Sequence, residues 1–230
     1  MAQRLLSLLI TLALPFLLVV LSIRLVANPW FIHLEYNRPG FPPDPYGFTT
    51  AQRTSLAMDG LYSVLPEGEG LIRLQQAKLP DGGSAFTERE SKHMQDVRVL
   101  MAQVFPLMLI GWAMLVILAL VFNRVRGWRH VVPTGLRGGA VLTLTLLAVL
   151  IAYIVLNFDS FFLTFHRLFF EGDTFLFLYT DTLIRLYPEQ LWSDVSILIG
   201  GLTVVMTLVV LAISQVWVRR IGESANQRER

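Results

Sequence analysis

Four uncharged apolar runs constrain this chain more than any other feature: Leu5 to Ile23, Val99 to Phe122, Ala140 to Phe158 and Val195 to Val218. A helix rises about 1.5 Å per residue, so about 20 apolar residues cross a hydrocarbon core of roughly 30 Å, and each run meets or nearly meets that length. With 54% hydrophobic and only 16% charged residues, the chain is too apolar for a soluble domain of its size. The expected fold is an all-α membrane protein, a four-helix transmembrane bundle with a small extracytoplasmic cap. Residues 1–230 read as one membrane domain, with spans at about 5–26, 97–122, 138–158 and 194–218.

The distribution of charge says more than its sum. The connection between the second and third spans holds Arg124, Arg126, Arg129 and Arg137 and no acid, and Arg219 and Arg220 open the C-terminal tail. The other two connections lean acidic, with Glu35, Asp44, Asp59, Glu67 and Glu69 in the first and Asp159, Glu171, Asp173, Asp181 and Glu189 in the second. Basic loops stay in the cytoplasm, which predicts cytoplasmic termini, a cytoplasmic loop 123–137 and tail 219–230, and extracytoplasmic segments 27–96 and 159–193. The inner arginines are expected to set topology and touch anionic lipid rather than nucleic acid. The chain has no Cys, which excludes thiol catalysis, disulfides and thiolate metal sites.

The first span reads as a retained anchor, because its apolar run is longer than a signal-peptide core, although Leu25-Val26-Ala27 faintly resembles a cleavage site. Pro15 and Pro106 lie inside spans, where neighbouring helices can satisfy the freed carbonyls, and are expected kinks. Gly111, Gly200 and Gly201 are expected close-packing points. Asn28 to Tyr46, rich in Pro and aromatic residues, reads as irregular. Thr49 to Leu65 reads as a short helix opened by a Thr49/Gln52 capping box. Leu71 to Ala77 reads as a short strand, followed by a turn at Asp81-Gly82-Gly83.

A second capping box, Thr87 with Glu90, predicts a helix that runs unbroken into the second span. Spacings of three put Glu90, His93 and Asp96 along one face, an imidazole between two carboxylates just outside the membrane. A carboxylate neighbour can fix a His tautomer and stabilise its cation, which suits a general base. The plainer reading is a solvated helix end whose charges mark the interface. After the third span, Phe161-Phe162-Leu163-Thr164-Phe165-His166-Arg167-Leu168-Phe169-Phe170 reads as an interfacial helix, or more simply as an aromatic anchor like Tyr179, Tyr187 and Trp192. His93 and His166 fall on the same side, each about one turn from a span, where they can meet. Glu90-x-x-His93 is half of a di-iron carboxylate pattern that needs two copies. His33, His93 and His166 are three candidate zinc ligands without a zinc-type spacing, His130 reads as ordinary, and no metal or other cofactor is expected. There is no Gly-x-Ser-x-Gly elbow, Walker loop or dinucleotide fingerprint.

Three segments together carry a resemblance: Glu90-x-x-His93-x-x-Asp96-Val97 before the second span, Phe165-His166-x-x-Phe169-Phe170 after the third, and Leu183 to Trp192 with Tyr187-Pro188 before the fourth. They resemble the bacterial integral membrane family that contains the lipoprotein intramolecular transacylase. The resemblance extends over the four-span layout, with its strongest motifs in the two His segments. It implies an enzyme of the bacterial cytoplasmic membrane, acting from the extracytoplasmic side on diacylglyceryl-modified lipoproteins. The family's reaction moves the sn-2 acyl chain of the diacylglyceryl cysteine to that cysteine's α-amine and leaves a lyso-form lipoprotein. Its paired catalytic histidines correspond to His93 and His166, with the roles of acid and base left open. Glu90 and Asp96 are candidates to orient His93, and Arg167 and Arg185 to contact an oxyanion or headgroup. The competing readings are a non-catalytic membrane binding or assembly protein and a zinc-dependent membrane hydrolase.

Overall fold

The computed structural model describes residues 1–79, 81–125 and 127–226. Among them the chain is helical, apart from one isolated antiparallel bridge between Lys78 and Ser84. Among the described residues four helices are long and apolar enough to cross a membrane: α1 (Ala2–Val26), α5 (Glu88–Arg124), α6 (Val131–Leu156) and α9 (Glu189–Asn226). The short helices are α2 (Pro29–Asn37), α3 (Thr50–Val64), α4 (Leu71–Gln76), α7 (Phe158–Phe169) and α8 (Thr182–Leu186). The chain divides into two compact units, one of Met1–Ile23, Pro106–Leu156 and Ile199–Arg230, the other of Arg24–Phe105 and Asn157–Leu198.

In the first unit α1 is the hub, with 39% of its apolar stretch buried against 11–22% for the other long helices. Small residues let α6 approach it closely. A Cβ added at Gly135 would lie 2.7 Å from Ile10 Cβ, and one at Gly139 2.7 Å from Leu14 Cβ. The contact is fastened by hydroxyls at matching heights, Ser7 Oγ donating to the Val131 carbonyl (2.8 Å) and Thr11 Oγ1 to the Gly135 carbonyl (3.1 Å). Gly111 packs on Leu17 as expected, but Cβ atoms at Gly200 and Gly201 would meet nothing within 4 Å. The close-packing glycines are thus Gly111, Gly135, Gly138 and Gly139. Residues 131–137, expected in the connecting loop, are the first turns of α6, with Pro133 at a position where a missing N–H leaves no intrahelical bond unmade. On α9, the buried Thr203 hydroxyl meets Ser22 Oγ at 2.7 Å.

In the second unit, Asn28 to Tyr46 is not wholly irregular. Asn28 caps α2 by accepting from Trp30 N, and Pro29 follows at the first helical position. Both halves of the Thr49/Gln52 capping box are formed on α3. Leu71 to Ala77 is also corrected: it is helix α4, not a strand. Leu71 and Leu74, three apart, face one core, and the exposed Ile72 with Arg73, Gln75 and Gln76 fill the rest, a helical pattern too short to read by alternation. Gly82, at φ +85°, turns the chain back, with Leu79 N donating to the Gly83 carbonyl at 2.9 Å.

The core of this unit joins Leu56 of α3, Leu74 of α4, Phe86 before α5, Met94 of α5, and Leu183 and Leu186 of α8. Tyr187 belongs to it rather than to an aromatic belt, its hydroxyl donating to the Ala57 carbonyl at 2.9 Å. Arg98 of α5 donates to the Ser63, Leu65, Pro66 and Gly68 carbonyls and so holds the turn between α3 and α4.

Candidate active site

His93 lies in the second turn of α5, before Val99 opens the uncharged stretch, and Thr87 starts that helix. Thr87 N donates to Glu90 Oε2 (2.7 Å) and Glu90 N to Thr87 Oγ1 (3.2 Å), which completes the second capping box. His166 is carried by α7, capped by Asn157 accepting from Ser160 N at 3.0 Å. Both helices belong to the second unit, and their imidazoles face each other with ring centroids 6.3 Å apart.

Aromatic side chains surround the pair. Phe170 and Phe177 stand edge-on to His93 at 5.2 and 5.5 Å, and Phe162 and Phe175 lie 4.0 and 4.8 Å from His166. No motif marks Phe175 and Phe177 in the sequence. Their signal is the alternation Phe175-Leu176-Phe177-Leu178, in which Phe175 is buried and Leu176 and Leu178 are exposed. Two contacts hold this loop to the start of α5: Arg89 Nη2 donates to the Asp173 carbonyl (2.6 Å), and Thr174 Oγ1 donates to Asp96 Oδ2 (3.3 Å).

The two rings differ in their hydrogen bonding. His166 Nδ1 lies 2.8 Å from the Phe162 carbonyl. A carbonyl only accepts, so Nδ1 carries the hydrogen and the neutral ring keeps its lone pair on Nε2. Burial pulls the His166 pKa below the usual 6.5, against the opposing pull of the Phe162 carbonyl, and so favours this neutral form. His93 Nδ1 is buried without a hydrogen-bond partner.

The other candidates separate. Asp96 stays one turn from His93. Glu90 is fully buried with both oxygens engaged, Oε2 in the capping box and Oε1 accepting from Leu183 N at 2.7 Å. That bond supplies α8 with the N-terminal acceptor that Asp181, its own N-cap residue, does not provide. Glu90 therefore does not pair with His93, because the backbone donors of two helix starts occupy its carboxylate. Arg185 is likewise engaged: its guanidinium forks onto the buried Asp44 carboxylate (2.9 and 3.3 Å) and lies 3.4 Å over the Phe48 ring. Burial pushes the Asp44 carboxyl up, but Arg185, the Phe48 N–H and Arg53 outweigh it and hold the group below the usual range. Arg167 is exposed on α7. His33 is exposed and lines a different groove, with residues of α3. Among the described residues no three His, Asp or Glu side chains gather as a metal site would need.

These features define a helical integral membrane protein with two apposed imidazoles in an aromatic pocket outside its apolar spans. The sequence model of the family "Lipoprotein intramolecular transacylase Lit" matches residues 8–192, and the chain belongs to that family. It is 32% identical over 212 residues to an uncharacterized protein of Aquifex aeolicus (strain VF5), covering 91% of this chain and 93% of that one. Its fold is similar to that of the membrane integral lipoprotein intramolecular transacylase Lit from Bacillus cereus, with a TM-score of 0.79, 18% identity, and coverage of 96% and 98%. Structures of that protein with one histidine replaced by arginine or by alanine match with TM-scores of 0.76.

Proposed function

We propose that this protein is a lipoprotein intramolecular transacylase that moves the sn-2 acyl chain of the diacylglyceryl cysteine to the cysteine α-amine, with His93 and His166 as its acid–base pair. The observation that carries this reading is the apposition of the two rings in an aromatic pocket, with His166 Nε2 left as an acceptor. Amine and ester belong to one molecule, so holding them in an attack geometry contributes several kcal/mol of the barrier lowering and no protein nucleophile is required. The amine nitrogen forms a bond to the ester carbonyl carbon, and His166 Nε2 takes the amine proton. The bond from that carbon to the sn-2 oxygen breaks, and a proton delivered through His93 converts the departing alkoxide to a hydroxyl. One ester becomes one amide plus one hydroxyl, with no proton gained or lost overall. An entering amine or ester oxygen would also give the buried His93 Nδ1 a partner. The acidic connections and the Arg-rich inner loop support an extracytoplasmic site.

Mass spectrometry of lipoprotein N-terminal peptides, from bacterial cells with and without this chain, tests the reaction. The expected result is an N-acylated cysteine with a single chain on its glycerol, appearing only with the chain. Unchanged acyl patterns at good membrane abundance would favour a non-catalytic membrane protein.

A further inference from the structure

Three of the aromatic rings around the histidines come from one short segment. Phe170, just past α7, lies beside both imidazoles, 5.2 Å from His93 and 5.9 Å from His166. Gly172, at φ +69°, then turns the chain toward α5. Phe175 stacks on His166 with 25° between the planes, and Phe177 meets His93 edge-on. Two side-chain bonds hold the residues immediately before these rings. Arg89 Nη2 donates to the Asp173 carbonyl, and Thr174 Oγ1 donates to Asp96 Oδ2. Arg89 stands four residues before His93 and Asp96 three after it, so the two fastenings lie one helical turn to either side of His93 along one face of α5. The far end of the segment is closed by its own residues, with Leu178 N donating to Asp181 Oδ2 at 2.8 Å and Asp181 N to the Leu178 carbonyl at 3.0 Å.

We propose that Arg89 and Thr174 are positioning residues that keep Phe175 and Phe177 against the two imidazoles, so that the cysteine α-amine rather than water takes the acyl group; this rests on the transacylase reading above. An ester held beside a base reacts with whichever nucleophile reaches it, and apolar groups closed over the reacting centre suppress hydrolysis. With the segment released, a water oxygen forms the bond to the ester carbonyl carbon and the bond from that carbon to the sn-2 oxygen breaks. One water proton goes to His166 Nε2, one is delivered through His93 to the departing oxygen, and the other water proton stays on the new carboxyl. The products are a free fatty acid and a lyso-form lipoprotein with an unmodified α-amine. A role in folding alone would lower both products together, whereas this role changes their ratio.

The test gives the purified full-length protein a synthetic diacylglyceryl-cysteine peptide and measures N-acylated lyso-peptide and free fatty acid by mass spectrometry. Arg89→Ala with Thr174→Val should raise the ratio of fatty acid to N-acylated product about tenfold, since each lost hydrogen bond favours the fastened segment by a factor of a few. Thr174→Val alone should raise it a few-fold, and Thr174→Ser, which keeps the hydroxyl, should match the wild type. A second measurement needs no turnover: carbethoxylation of His93 and His166 by diethyl pyrocarbonate, with the exposed His33 as internal reference, should quicken in the double variant. Wild-type protein that forms no N-acylated product would remove the transacylase reading and this proposal with it. Normal transfer by the wild type, with the product ratio and histidine labelling unchanged in the double variant, would overturn the proposal alone. So would a Thr174→Ser protein that behaves like Thr174→Val.

Discussion

Phe162 lies one turn before His166 on α7, and its carbonyl takes the Nδ1 hydrogen, so the proposed base is set by backbone placement rather than by a carboxylate. This gives a pH expectation with a definite sign. Because burial lowers the folded-state pKa of His166, the ring stays neutral through neutral pH and protonates only below the ordinary value of 6.5. Turnover should be flat near pH 7 and fall on acidification, with a midpoint below about 6.5. A rate–pH profile of the purified protein with a midpoint above that value would contradict the assignment. The same shift costs stability in acid, since the unfolded chain takes up the proton first once pH drops below 6.5. Replacement is the sharper test. His93→Ala and His166→Ala should each remove most of the conversion to lyso-form, and the double replacement should cost little more than the worse single one, because groups acting as a unit are non-additive. Near-normal conversion by either single variant at equal membrane abundance would reject the pair.

At the scale of elements, Glu90 separates a structural role from an orienting one. Glu90→Ala would leave the Leu183 and Thr87 N–H groups without their acceptor, at about 2–4 kcal/mol, whereas Glu90→Gln keeps one carbonyl oxygen and should cost less. Thermal unfolding of the two variants checks this; an unchanged midpoint for Glu90→Ala with lost activity would instead make Glu90 a partner of His93. The glycines give a second contrast. Gly135→Ala should lower stability by about 1–3 kcal/mol, because its Cβ would fall 2.7 Å from Ile10 Cβ, while Gly201→Ala, with open space around it, should be neutral or slightly stabilising. Which elements were legible follows from the same physics. The capping boxes at Thr49 and Thr87 could be read because their signal is local and directional. α2 was obscured because its aromatic content outweighed the Asn28-Pro29 start signal. Gly135 and Gly139 carry the small-xxx-small spacing of close-packed helices, yet Gly135 falls in the segment that the basic residues mark as a loop, which separates it from its partner Gly139 in the span.

For the whole molecule, apolar length carries the class and little else: four runs specify four long helices, while the facing of His93 and His166 depends on tertiary packing of α5 against α7 and the loop through Phe175. The sequence could place both histidines near one interface. It could not show that Glu90 and Arg185 would be occupied by Leu183 and Asp44, since those partners are distant in the chain. The sidedness of the molecule follows from its charge distribution. Arg124, Arg129 and Arg137 flank the second and third spans, and Arg219 and Arg220 follow the fourth, so the Arg-rich end should stay in the cytoplasm and the His-bearing unit should face outward. A reporter joined after the C-terminal residue should be active only in its cytoplasmic form, and one inserted within 66–84 only in its external form. A cytoplasmic 66–84 reporter would separate the histidines from lipoproteins displayed on the outer leaflet, and the transacylase reading would then fail even if both rings proved essential for some other reaction.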